Sequence, residues 1–238
     1  MIVTDHFVYI HTSRHAGTFL NKLILNHVSG AKGIQYHGHL SMLPDAYDSL
    51  PVLGLVRNPW DWYVSMYFNY RHKGQYIFRI ISEDGKLNFE ETVSRYLLLG
   101  DNSSTSNKLL AQLVLACPTE INAKTDPRVS RPALCSNDFA SYPPECGYYS
   151  WLFQLMYASN KKPTISIGRF EYLRQDVLQL FKETGTPISK DISRYLEQGV
   201  PVNSSDREAS YQSYYSKELQ QLVEHKDKYI IERFGYSF

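Results

Sequence analysis

Twice near its start the chain runs a short apolar stretch into a small polar turn and then into helical spacing. Residues 7–10 (FVYI) meet a Gly-containing turn, and from Thr18 onward apolar residues fall at Phe19, Leu20, Leu23, Ile24 and Val28. Residues 52–56 (VLGLV) lead through Arg57-Asn58-Pro59 into a stretch with Tyr63, Val64, Tyr67 and Phe68 on one side. A short apolar run between turn signals suits a strand buried on both faces, and a helical period after it suits a crossover helix. Proline near the first helical turn strengthens the second case. Strands alternating with helices imply a mainly parallel central sheet flanked by helices, an α/β architecture. Ligands of such sheets sit at the carboxyl ends of the strands.

Further along, Asn88 and Glu91 form a capping-box pattern for a helix running to about Gly100, and residues 108–117 keep helical spacing. Residues 118–147 are rich in Pro, Ser, Asn and Asp and carry little periodicity, so they read as an irregular insertion in a single domain of residues 1–238, a lid over an acceptor site. Helical pattern resumes over 151–157, a third strand over 164–167, and helices over 171–183, 189–198 and 216–234, each followed by a glycine.

Charge is nearly balanced, with 25 Lys+Arg against 24 Asp+Glu, which argues against a general nucleic-acid or anionic-membrane binder. No apolar run is long enough for a membrane span. The opening MIVTDHFVYIH has no basic region or cleavage site of a signal peptide, so a cytoplasmic location is expected. Cys117, Cys135 and Cys146 lack metal-ligand spacing and read as thiols, although Cys135 and Cys146 share one polar loop and a bond between them stays open. The 19 tyrosines suit either amphipathic packing or an aromatic-lined acceptor cleft.

The loop after the first strand is His11-Thr12-Ser13-Arg14-His15-Ala16-Gly17-Thr18. Small residues between a strand and a helix aim several N–H groups one way, and the helix start adds its positive end, which together make a phosphate cradle. Gly17 permits close approach, Thr18 offers a hydroxyl, and Arg14 a fixed charge. The text lacks the Lys-Ser/Thr of a magnesium-nucleotide loop. After the second strand, Arg57 at the strand end and Ser65 about two turns into the helix can converge on one phosphate; the plainer alternative is a salt-bridged Arg57 and a solvent-facing Ser65.

HTSRHAGTFL resembles the 5′-phosphosulfate loop of sulfotransferases that use 3′-phosphoadenosine 5′-phosphosulfate (PAPS), above all their carbohydrate-type branch. VRNPWDWYVSMYF resembles the 3′-phosphate motif of the same superfamily, R-x-P-x-D-x-x-x-S-x-Y, and residues 167–173 and 214–238 are similar to bacterial members. Here Arg14 stands where the family has Lys, and Ser13 where it has Pro. The resemblance implies a P-loop-like three-layer fold. It also implies PAPS as sulfuryl donor, 3′-phosphoadenosine 5′-phosphate (PAP) as product, and no metal. Arg14, His15, Ala16, Gly17, Thr18 and Phe19 would meet the 5′ end, and Arg57, Ser65 and Arg207 the 3′-phosphate. Sulfuryl transfer demands an in-line acceptor and neutralised leaving-group charge, a role for Arg14.

The acceptor hydroxyl or amine, on a small molecule or carbohydrate, needs a base. His39 is the first candidate and His37 the second, in the segment Tyr36-His37-Gly38-His39. The alternatives for this pair are an exposed strand edge or half of a metal site. Trp60, Trp62 and Phe170 can stack on adenine or pack in the core, and Arg169 and Glu171 can pair with each other. Other readings of the chain are a nucleotide or small-molecule kinase and a non-catalytic nucleotide-binding module. Oligomeric state cannot be read from the sequence.

Overall fold

The computed structural model describes residues 1–120, 134–161, 163–198 and 209–238. The chain divides into two compact units, Met1–Arg57 with Leu155–Ser204, and Asn58–Gln154 with Ser205–Phe238.

The first unit is built on a five-stranded mixed sheet. Its strands are β1 (Ile2–Val3), β2 (Val8–Tyr9), β3 (Lys32–Gly33), β4 (Val52–Val56) and β5 (Ile165–Arg169), in the spatial order β3-β1-β2-β4-β5. β2, β4 and β5 run parallel, with Tyr9 opposite Leu53 and Val56 opposite Arg169. β1 pairs antiparallel with both β2 and β3. The three expected strands are therefore the parallel centre. The sequence reading missed β1 and β3; β3 (Lys32–Gly33) is exposed and carries no apolar run. Thr4 makes the β1–β2 corner: its hydroxyl donates to the Phe7 carbonyl at 3.0 Å and accepts the Phe7 N–H at 2.9 Å.

Helices α1 (Gly17–His27), α8 (Leu173–Glu183) and α9 (Lys190–Gln198) pack on this sheet. Phe7, Tyr9, Leu20, Leu23, Ile24, Leu53, Leu55, Val177, Leu180, Phe181, Ile192 and Leu196 form one apolar core. The Phe7 and Phe181 rings stack in it with centroids 5.4 Å apart.

The second unit is helical among its described residues. It comprises α2 (Pro59–Lys73), α3 (Tyr76–Ile81), α4 (Phe89–Leu97), α5 (Ser104–Ala116), α6 (Ser136–Ala140), the start of α7 (Tyr148–Tyr157), α10 (Lys217–Lys226) and α11 (Lys228–Phe234). Asn58 caps α2 by accepting the Trp60 N–H at 3.0 Å, with Pro59 in the first turn. The Asn88–Glu91 capping box is formed in both directions, at 2.9 Å each. Aromatic rings fill the unit, and Trp62 lies flat on Tyr149 at 4.5 Å.

Two expectations are corrected here. The stretch 118–147 is not wholly irregular: α6 lies in it, with the Asp138 carboxylate accepting the Cys135 N–H at 2.7 Å, while 121–133 fall outside the described residues. The helix expected over 216–234 breaks at Asp227, giving α10 and α11. No disulfide joins Cys117, Cys135 and Cys146. Among the described residues no helix is long and apolar enough to cross a membrane.

Candidate functional site

The parallel strands of the first unit each run toward an arginine. β5 ends on Arg169, β4 is followed at once by Arg57, and the loop after β2 carries Arg14. Register places the β4 and β5 ends side by side, because Val56 pairs with Arg169. Neighbouring strands lie about 4.8 Å apart, so the backbones of Arg57 and Arg169 end side by side at the carboxyl edge of the sheet.

The loop itself is held in a conformation that side chains resist. Arg14 has φ 68° and Ala16 φ 55°, both left-handed. Such a position costs a non-glycine residue roughly 1–2 kcal/mol, and strain of this kind persists where surrounding contacts enforce it. Left-handed residues set into a turn point successive N–H groups to one side, the geometry of an anion nest. Ala16 is also the N-cap of α1, and its methyl side chain makes no capping bond; the first turn of the helix holds no acidic residue. The positive end of the helix dipole is thus left uncompensated by acidic neighbours.

Three neighbours enforce the loop. His11 lies so close to the loop–helix junction that a Cβ on Gly17 would stand 1.6 Å from its Nε2. Gly17 therefore serves the packing of His11, whose Nδ1 is 3.1 Å from Asn21 Nδ2. His15 is fully buried, and its ring hydrogen-bonds to the backbone of Ser13 and Thr12. Burial, then the Arg57 charge and more weakly that of Arg14, push the His15 pKa down to about 3 despite those bonds. It is neutral at physiological pH, and its depression reports a positive field at the loop. Lastly, Arg57 is 5% exposed; its Nη1 donates to the Arg14 carbonyl at 3.0 Å. The Arg57 guanidinium carbon also lies 4.0 Å from the centroid of the Phe170 ring.

The other expected site residues fall as follows. Arg14, Ala16 and Thr18 keep partial exposure, while Ser13, His15 and Gly17 alternate with them as buried positions. Phe19 is 5% exposed and packs on Tyr195 at 4.9 Å, so its side chain is a core contact in this structure. Ser65 is buried on α2 in the second unit. Arg207 lies outside the described residues. Trp60 donates through Nε1 to the Gln220 carbonyl at 3.1 Å, and Trp62 is fully buried against Tyr149.

His37 and His39 are not an exposed strand edge: both are buried, and neither lies in a strand. His37 sits in left-handed backbone, φ 53°, with Nδ1 2.9 Å from the His11 carbonyl oxygen and its ring centroid 4.1 Å from that of His11. A carbonyl only accepts, so Nδ1 carries the proton and the neutral ring has its lone pair on Nε2. His39 precedes a 3-10 turn at Leu40–Met42. Among the described residues no group of three or more His, Cys, Asp or Glu is placed to hold a metal ion.

Sequence reasoning missed the grip of Arg57 on the loop and the part of Phe170 in it. The adjacent Arg169-Phe170 at a strand end was visible, but its partner is set by the β4–β5 register. In comparisons with known families, curated proteins and solved structures, the chain matches none of them.

Proposed function

We propose that this chain is a PAPS-dependent sulfotransferase with a P-loop-like fold, acting on the hydroxyl or amine of a small molecule or carbohydrate. The observation that carries the reading is the loop of residues 11–18. It pairs left-handed Arg14 and Ala16 with a helix start whose N-cap residue, Ala16, offers no capping side chain and whose first turn holds no acidic residue, and Arg57 stands beside it. These are the parts an anion with several oxygens requires: converging N–H groups, a helix dipole and fixed guanidinium charge. The motif resemblance narrows the anion to a phosphosulfate.

In this reading Arg14 and the N–H groups of residues 15–18 hold the 5′ end of the donor. Arg14 never gives up its proton at ordinary pH, so it acts by neutralising charge on the departing phosphate. Sulfur is transferred in line: an acceptor oxygen or nitrogen bonds to it as the bond to the bridging oxygen breaks, and PAP departs with the electron pair. The proton lost by the acceptor goes to a base. His37 is the better oriented of the two candidates, since its Nδ1 contact with the His11 carbonyl holds the ring. Support for the 3′-phosphate contacts of Arg57, Ser65 and Arg207 comes from the motif text alone.

The test is PAP binding by calorimetry, followed by transfer from sulfate-labelled PAPS to a panel of phenols, sugars and amines. Wild type should bind PAP and label at least one acceptor, with Arg14→Ala losing transfer. A folded protein that ignores PAP sinks the reading, and one that binds PAP but labels no acceptor leaves the non-catalytic module.

A further inference from the structure

We infer that Phe170 is a positioning residue for the anion loop, acting through Arg57 on the backbone of Arg14. This rests on the proposed function for the identity of the anion, but not for the mechanical link itself.

Arg57 touches Arg14 and Phe170, both in the same unit. One guanidinium nitrogen donates to the Arg14 carbonyl at 3.0 Å, and the guanidinium carbon lies over the Phe170 ring, 4.0 Å from its centroid. Arg14 is the residue held at φ 68°, and its carbonyl belongs to the peptide that leads into His15. A donor locked onto that carbonyl fixes the orientation of the peptide, and with it the direction of the next N–H. An arginine side chain has many rotamers, and each contact that orders the guanidinium removes some of that freedom. A ring face removes that freedom by attracting and flattening the guanidinium.

Phe170 is placed for this task by its position in the chain. It begins the 3-10 turn directly after β5, is only partly buried, and is not among the residues that form or flank the apolar core under the sheet. Its neighbour Arg169 is fixed by an N–H bond to the Asp176 carboxylate at 2.6 Å, which ties the turn to α8. The chain of contact therefore runs from α8 to the β5 turn, to Arg57 at the end of β4, to the loop after β2. It joins the carboxyl ends of all the parallel strands of the sheet. Arg57 then has a task in the ligand-free protein, whether or not it also touches a phosphate.

Hydrogen exchange of ligand-free protein tests the link directly. Phe170→Leu should quicken exchange at the amides of residues 14–18 by about tenfold, the size of losing a partly desolvated cation–π contact. Phe170→Tyr keeps a ring face and should stay within about twofold of wild type. Amides of Leu180 and Phe181 in α8 serve as the folding control and should not change in either variant. The inference is overturned if Phe170→Leu leaves residues 14–18 as protected as in wild type, or if Phe170→Tyr loosens them equally. PAP affinity, measured in parallel, should fall about tenfold in Phe170→Leu and return in Phe170→Tyr. Absence of PAP binding to wild type with a loosened Phe170→Leu loop rejects the proposed function and keeps the link. PAP binding with an unaltered loop does the reverse.

Discussion

The two units bury charge of opposite sign, and they do it for different ends. In the sheet unit Arg57 and the neutral His15 are buried where parallel strands stop. In the helical unit, among the described residues, Asp227 is a fully buried carboxylate at the break between α10 and α11. Its Oδ1 accepts the Ser150 N–H at 2.8 Å, so it caps the first turn of α7 from another helix. Gly147 N–H donates to the Lys226 carbonyl at 2.8 Å, and a Cβ on Gly147 would stand 2.6 Å from Asp227 Oδ1. Burial raises the Asp227 pKa to about 6, against hydrogen bonds from Ser150 and Tyr63. The same charge, after burial, pushes the Cys146 thiol up to about 12 and keeps it unreactive. Tyr63, Tyr142 and Tyr215 also face this carboxylate. One unit concentrates positive field beside partly exposed loop residues; the other seals a negative group among phenols and uses it as a fastener.

The largest effect that sharpens this contrast is on stability against pH. His15 has a folded pKa near 3 against an ordinary 6.5, so the unfolded chain takes the proton first. Stability due to His15 is complete above pH 6.5 and is lost as pH falls toward 3, by as much as ~5 kcal/mol in all. Asp227 has the opposite sign. Its folded pKa near 6 lies above the ordinary 3.8, so its contribution is complete below 3.8 and falls as pH rises to 6, by about 3 kcal/mol. Between those values the two slopes, each about 1.4 kcal/mol per pH unit, oppose one another. A urea series from pH 4 to 7 should therefore show little net dependence from this pair in wild type. Asp227→Asn should uncover a stability that climbs with pH, and His15→Gln one that declines. Parallel curves for all the proteins would show that neither group is held as described.

Next in size is the loss of a buried cation. Arg57→Ala should weaken PAP binding by about 2–4 kcal/mol, since a charge-assisted contact goes and the Arg14 carbonyl loses its donor. Arg57→Lys should recover less than half of this, because an ammonium cannot both lie flat on Phe170 and aim at the carbonyl. Calorimetry of the two variants decides it; full recovery by Lys would reduce Arg57 to a point charge.

The contrast also explains what could be read from residue order. The parallel centre was legible because buried strands and crossover helices each carry a local period, and residues 7–10, 52–56 and 164–167 map onto β2, β4 and β5. The loop of residues 11–18 between β2 and α1 was legible for the same reason, since strand, small residues and helix start are contiguous. The break at Asp227 was not. Leu219, Leu222, Val223, Ile230 and Ile231 continue one apolar stripe through it, and only the bonds to α7 reveal why the helix stops. His37 and His39 misled for a related reason: alternation of polar residues reads as an edge, yet His37 is buried by its bond to the His11 carbonyl. Arg57 and Phe170 meet only because β4 and β5 pair in parallel.

The smallest expected effect bears on why the loop keeps strained residues at all. Ala16 holds φ 55° at the N-cap of α1, where glycine would rest without strain, and its methyl group also flanks the core. Ala16→Gly relieves the left-handed penalty but frees the unfolded chain and removes a methyl contact, so the gain should be no more than about 0.5–1 kcal/mol. Thermal unfolding reads it as a small rise in Tm. If the loop were merely a connection, nothing else should follow. If its strain fixes the direction of the N–H groups, the more stable variant should bind PAP more weakly, by about twofold to fivefold, because a glycine there must be ordered by the ligand. Higher stability with lower affinity would tie the strain to anion capture, while a variant that is both tighter and more stable would show that the alanine has no part in it.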